Sequence, residues 1–348
     1  MSSAATQIAE PNKQRGVRYA WGPDGIEYPV VDVTHPAFAL SVSDAEQRAL
    51  IATFMKEQQP LTKLPALLRR LLLALVLRGS RLAEGVKRSE GSFMTAMDTY
   101  LLKLGPDNLP SVFRKPIDRR IAAALPSLAM RLRLQDIARL SCDALLPGLL
   151  ARADVPLHLL NIGGGPAIDS LNALLLLERE QPGLLRNRST VVRVLDLDPS
   201  GPTFGARALR AMQDEGAALH GLAIELLQVP YDWTKPETLD APLAAARAAN
   251  ALCMASSEGG LFEYGSDDAI LRNLETLRHG APAGISMVGS VTRADAPTQQ
   301  LYLSSRAATK PRGLNRFRTL AATAGWELKK VIERPFSDHV WLQPSAAN

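Results

Sequence analysis

Residues 157–170 read Leu-His-Leu-Leu-Asn-Ile-Gly-Gly-Gly-Pro-Ala-Ile-Asp-Ser, and no other stretch of the chain limits the fold as much. A short apolar run enters three consecutive glycines and leaves as a helical pattern, with Ile168, Leu171, Leu174 and Leu175 on one face. The spacing predicts a strand, a glycine loop and a helix. Glycine permits the tight turn, and the missing Cβ lets a ligand touch the main chain. N–H groups at the start of the helix lack intrahelical partners and face polar ligand atoms. An ordinary strand–helix turn also uses glycine, so the loop gains weight only from the residues downstream of it.

Residues 191–196, Val-Val-Arg-Val-Leu-Asp, read as a second strand ending in Asp196, and Leu197-Asp198-Pro199 closes it. A carboxylate at a strand tip can accept both protons of a ribose diol, with Asp198 as a neighbouring candidate. The interval from Gly163 to Asp196 exceeds the usual spacing of about 20 residues in dinucleotide folds. A helix and loop over 171–189 absorb the excess. The simpler alternative for Asp196 is a solvated strand-end acid. Further strands are expected at 222–229, 249–255 and 284–291, with helices at 241–248, 267–278 and 314–324. Such alternation implies a parallel sheet with right-handed crossovers, and ligands then bind beyond the carboxyl ends of the strands. The chain closes with a strand after Gly325, a turn at 334–338 and a last strand containing His339, Val340, Trp341 and Leu342.

From about 155 to 345 these residues resemble the class I S-adenosylmethionine-dependent methyltransferases. The loop motif of that family is Asp/Glu-x-Gly-x-Gly-x-Gly. Here it reads Asn161-Ile162-Gly163-Gly164-Gly165-Pro166-Ala167, with Asn161 for the acid and Ala167 for the last glycine. The resemblance implies a Rossmann-like α/β sheet of seven strands, the last one antiparallel, preceded here by a mostly α-helical N-terminal domain. It also implies S-adenosyl-L-methionine as cofactor, held by Asn161, Gly163, Gly164, Gly165, Asp196, Asp198, Asp232 and Trp233, with Asp232 and Trp233 (or Tyr231) beside the adenine. The expected activity is methyl transfer to an oxygen or nitrogen of a small polar molecule.

Length and charge shape the remaining expectations. At 348 residues two domains are expected. The reading is a disordered stretch over 1–16, a helical cap or oligomerisation domain over 17–150, and the cofactor-binding domain over 151–348. Residues 1–150 carry 20 Lys/Arg against 14 Asp/Glu, net +6, and residues 151–348 carry 20 against 21, net −1. The basic residues are scattered over helical faces with few aromatics between them. A solvated exterior is therefore expected, not a nucleic-acid surface. No apolar signal core opens the chain, and 71–77 is too short to span a bilayer, so a cytoplasmic protein without a membrane partner is expected. The N-terminal helices are candidates for a homodimer contact. Cys142 and Cys253 lie in apolar stretches and read as buried thiols, and no metal-ligand spacing appears. Within 17–150 a small hairpin is expected over 18–33, a capping box opens a helix at Ser43, and helices follow over 61–84, 92–104 and 117–150, the last interrupted near Pro126.

A methyl sulfonium is already activated, so the protein must align the groups and exclude water; a base is needed only for an acceptor proton of high pKa. Glu258 or His339 is the expected base, Arg293 an anion clamp, and Glu263 and Tyr264 substrate contacts. Their mixed charges suggest a polar acceptor. Two rivals belong to other classes: an NAD(P)-dependent oxidoreductase on a related fold, and a non-catalytic binding domain. Transfer of the aminocarboxypropyl group is a further alternative.

Overall fold

A computed structural model describes residues 13–63, 79–88, 94–113, 115–305 and 308–346. Its centre is strand β3 (Leu157–Ile162), in which all six residues are buried. Full burial of apolar side chains such as Leu157, Leu159 and Ile162 stabilises by about 1.5–3 kcal/mol each, so this strand can only be interior. On one side β3 pairs in parallel with β4 (Thr190–Leu195), which pairs with β5 (Ile224–Val229); on the other it pairs with β6 (Leu252–Ser257), which pairs with β7 (Ser286–Thr292). The last strand, β9 (Ser337–Pro344), runs antiparallel between β7 and β8 (Trp326–Glu333), giving the order β5-β4-β3-β6-β7-β9-β8. The chain runs outward from β3 to β4 and β5, then crosses back to β6 on the other side of β3. That reversal opens a crevice beyond the carboxyl ends of the strands.

The helices expected between the strands are present, as Ile168–Glu180, Asp240–Ala248, Asp267–Gly280 and Leu314–Thr323, and a further one, Ser200–Gln213, follows β4. The N-terminal part contributes the hairpin β1 (Tyr19–Trp21) and β2 (Glu27–Pro29), then α1 (Asp44–Lys63), α2 (Arg81–Arg88), α3 (Ala96–Leu104), α4 (Pro116–Ala123) and α5 (Leu125–Ala151). Ser43 and Glu46 form the expected capping box, with Ser43 N–H donating to Glu46 Oε2 at 2.8 Å. The break expected near Pro126 falls at Ala124, whose backbone is extended, and Pro126 sits in the first turn where its missing N–H costs nothing. The continuous helix expected over 61–84 is not found: Gly79 (φ +77°) makes a turn before α2. The apolar stretch 71–77 lies outside the described residues, as does most of the 1–16 segment.

One hydrophobic cluster joins both halves of the chain. α5 packs along α6 (Ile168–Glu180) and over β6, β7 and β9. Tyr100 of α3 stacks on Phe204 of α7 (Ser200–Gln213) at 4.7 Å and donates its hydroxyl to Pro29 O at 2.6 Å. Asn172 of α6 bonds both Val33 N–H and Val31 O, stitching the N-terminal segment to the sheet domain. The helical half therefore shares the core of the sheet. We continue the helix labels as α8 (Asp240–Ala248), α9 (Leu261–Tyr264), α10 (Asp267–Gly280), α11 (Ala296–Ser305) and α12 (Leu314–Thr323).

Candidate active site

A cavity of about 860 Å³ lies beyond the strand tips, between the sheet and α3, α4, α5 and α11. Its size falls within the usual range for small-molecule sites, roughly 300–1,000 Å³. The two halves of its wall differ in kind.

One half is main chain and strand-tip acids. Gly163–Gly165 follow β3, Asp196 follows β4, and Tyr231–Thr234 follow β5; all line the cavity. Gly165 N–H donates to Asp196 Oδ2 at 2.9 Å, and Asp198 N–H donates to Oδ1 at 2.9 Å. Each oxygen keeps a lone pair for a ligand. Burial raises the Asp196 carboxyl above its ordinary value, against the lowering by those backbone N–H groups. The Trp233 ring stands beside the loop: a Cβ on Gly163 would come within 3.1 Å of it. Asp232 accepts from Thr234 N–H and Oγ1, which lowers its carboxyl. Ala167 sits in the left-handed region (φ +53°, ψ +32°), where glycine is favoured and another residue pays about 1–2 kcal/mol. Beneath the loop, α7 packs through glycines; a Cβ on Gly205 would lie 2.4 Å from Pro166 O, and one on Gly201 2.6 Å from the Gly165 carbonyl carbon.

The other half is apolar, with an ionic floor. Ile121, Met130, Leu301 and Phe336 are among its walls, and Tyr302 (45% exposed) and Leu303 (52%) lie toward solvent. On the floor, Glu258 Oε1 accepts from Arg133 Nε at 2.6 Å and Oε2 from Lys103 Nζ. Glu263 accepts from Arg133 Nη1 at 3.0 Å and from Ser290 Oγ at 2.8 Å. Burial pushes the Glu258 carboxyl up, but the two cations outweigh it and hold it below its ordinary value. Burial likewise raises the Tyr264 phenol, to about 12.

The inserted antiparallel strand, the glycine loop and the acid at the β4 tip decide the architecture. The chain has the class I methyltransferase fold. No protein-family model and no curated protein matches the sequence. Among solved structures, the chain is similar to a possible exported protein from Bordetella parapertussis, at 17% identity and TM-score 0.55, covering 88% of this chain and 100% of that one. An O-methyltransferase of neocarzinostatin biosynthesis, solved with S-adenosylmethionine and a hydroxynaphthoic acid, aligns at 20% identity and TM-score 0.35 over 54% of this chain and 48% of its own. LepI, solved with S-adenosylhomocysteine and a substrate analogue, aligns at 14% identity and TM-score 0.44 over 87% and 95%. At these identities the likeness is one of fold. Among the described residues no helix is long and apolar enough to cross a membrane.

Within this methyltransferase fold the sequence-predicted residues fall into two groups. Gly163, Gly164, Gly165, Asp196, Asp198, Asp232, Trp233, Glu258, Glu263 and Tyr264 share the cavity wall. Asn161, His339 and Arg293 do not. Asn161 is fully buried under Gly164, donating to Asp169 Oδ1 at 2.6 Å and Ser170 Oγ at 2.8 Å; it holds the loop from below and does not reach a ligand directly. Its Oδ1 has no hydrogen-bond partner among the described residues and lies 1.1 Å from where a Gly164 Cβ would stand, so only glycine fits there. His339 is within β9 and is 0% exposed, with Nδ1 on Asp136 Oδ2 (3.0 Å) and Nε2 on Ser337 Oγ (3.1 Å). Both ring nitrogens are taken, and it is a core histidine, not a base in the cleft. Arg293 lies outside the cavity wall, with Nε on Asp295 and Nη1 on Glu333 and Asp338, so it is not placed to clamp an anion there. Glu258 lines the cavity, but with both oxygens in ion pairs it is a poor proton acceptor. The expected wall of free mixed charges is thus a neutralised cluster under an apolar chamber. Sequence reasoning missed Lys103, Arg133, Gly201 and Gly205. The two cations belong to amphipathic helices with many other basic residues. Ser200-Gly201-Pro202-Thr203-Phe204-Gly205, a helix with two glycines four apart, was the one available signal for close packing.

Proposed function

We propose that this chain binds S-adenosylmethionine and transfers its methyl group to an oxygen or nitrogen of a small molecule. The observation that carries the reading is Asp196, a carboxylate fixed to the main chain of the glycine loop with lone pairs left over, at the tip of the second strand. In this reading Asp196 accepts from the ribose hydroxyls, with Asp198 beside it. Gly163–Gly165 let the methionine end pass along bare backbone, Asn161 keeps that loop in place, and Asp232 and Trp233 flank the adenine. When bound, the sulfonium supplies a methyl that is already activated, so the protein's contribution is alignment and exclusion of water. α3, α5 and α11 supply that exclusion by roofing the cavity, and Glu263 and Tyr264 border the acceptor. The segment 17–150 acts as the cap of the site.

Calorimetry tests the reading. S-adenosylhomocysteine is expected to bind at micromolar strength and NAD not to bind. Binding of NAD without S-adenosylhomocysteine would overturn it in favour of the oxidoreductase alternative.

A further inference from the structure

The acceptor half of the cavity holds hydrogen-bond donors that no described residue uses. Arg133 is 8% exposed and Lys103 5% exposed, and both line the cavity. Arg133 spends Nε on Glu258 and Nη1 on Glu263, and its Nη2 donates to no described residue. Nη2 lies against Gly259, where a Cβ would come within 2.5 Å of it. Among the described residues Lys103 Nζ donates to Glu258 alone, leaving two of its three N–H groups.

The remaining chemistry of this half points the same way. Its two carboxylates, Glu258 and Glu263, have their oxygens turned onto the cations. The other lining acids, Asp196, Asp198 and Asp232, stand at the glycine-loop end. Among the described lining residues there is no histidine. The acceptor side therefore presents fixed donors and no free base, beneath an apolar chamber. An acceptor that arrives ionised leaves no proton to remove. A guanidinium nitrogen and an ammonium each donate a charge-assisted hydrogen bond to a carboxylate, and a buried donor left unpaired is unfavourable.

Resting on the methyl-transfer reading, we propose that this subsite selects an apolar carboxylate, whose oxygens take the unspent donors of Arg133 and Lys103 while its body fills the chamber lined by Ile121, Met130 and Phe336. Isothermal calorimetry on the full chain loaded with S-adenosylhomocysteine tests it, using 4-butylbenzoate, 4-butylbenzyl alcohol and 4-butylbenzylamine as probes of one shape. Loading with S-adenosylhomocysteine is measured first; failure at that step removes the methyl-transfer reading itself. With loading intact, the benzoate is expected to bind at least tenfold more tightly than the alcohol or the amine. In Arg133→Met/Glu263→Gln, which keeps the floor neutral by leaving Lys103 opposite Glu258, that preference should vanish while loading persists. Equal or tighter binding of the alcohol or amine, no binding of the benzoate, or a preference that survives the double substitution would each overturn the proposal. If the double variant fails to fold, the comparison of probes on the unaltered chain decides alone.

Discussion

The two halves of the cavity are built on different principles. The glycine-loop half is backbone: three glycines, N–H groups and strand-tip carboxylates, all delivered by consecutive βα turns of one sheet. The other half is assembled from side chains of distant segments, with Lys103 from α3, Arg133 from α5, Glu258 from the β6 tip and Glu263 from α9. Backbone geometry follows from local sequence, whereas a side-chain cluster exists only after the helical half has docked. The first kind of wall is positioned before any ligand arrives. The second depends on every member of a charge network being present.

Four substitutions probe this contrast. Arg133→Met should have the largest effect. It strands Glu263 in a buried site and leaves Glu258 to Lys103 alone, and removal of one partner from such a network costs about 3–5 kcal/mol. A large drop in melting temperature is expected; an unchanged melting temperature would mean that the cluster does not hold the cap to the sheet. Gly205→Ala comes next. Its Cβ would press on Pro166 O at 2.4 Å, so α7 or the glycine loop must move, at an overpacking cost of about 1–3 kcal/mol. Both stability and S-adenosylhomocysteine affinity should fall, and loss of stability alone would uncouple α7 from the loop's function. Asp196→Ala should weaken S-adenosylhomocysteine about tenfold, or ~1.4 kcal/mol. It should also lower the melting temperature modestly, because Gly165 and Asp198 lose their acceptor. Unchanged affinity would move the ribose contact to Asp198. Tyr302→Ala, at a half-exposed position, should change stability by less than about 0.5 kcal/mol and leave S-adenosylhomocysteine binding alone. A loss of cofactor affinity there would mean that the two halves are not separable.

Legibility divides along the same line. The β3 strand, its glycines, the Asp196 tip and the terminal pair of strands were readable because each is a local pattern with a local cause: an apolar run, a turn that tolerates no Cβ, a strand stopped by Pro199. Asn161 and Ala167 were readable as departures from a family motif, but their consequence was not. The amide turns inward to Asp169 and Ser170, and Ala167 adopts the left-handed backbone that glycine would take. His339 and Arg293 were assigned to the cleft because they follow or begin strands near its rim. Their side chains instead point to carboxylates, Asp136 for one and Asp295, Glu333 and Asp338 for the other. A strand position sets which end of the sheet a residue occupies; it does not set which neighbour neutralises its charge.

Local sequence was enough to specify the alternation of strands and helices, the glycine loop and the acid placed against it, since these rest on periodicity and on steric limits within a few residues. Long-range packing was needed to bring the helical half into the core of the sheet and to set Lys103 and Arg133 against Glu258 and Glu263. The same packing left that half of the cavity apolar, with unspent donors at its floor. Those outcomes depend on contacts between residues 125 to 155 positions apart, where burial makes each charge seek a partner that no local pattern specifies.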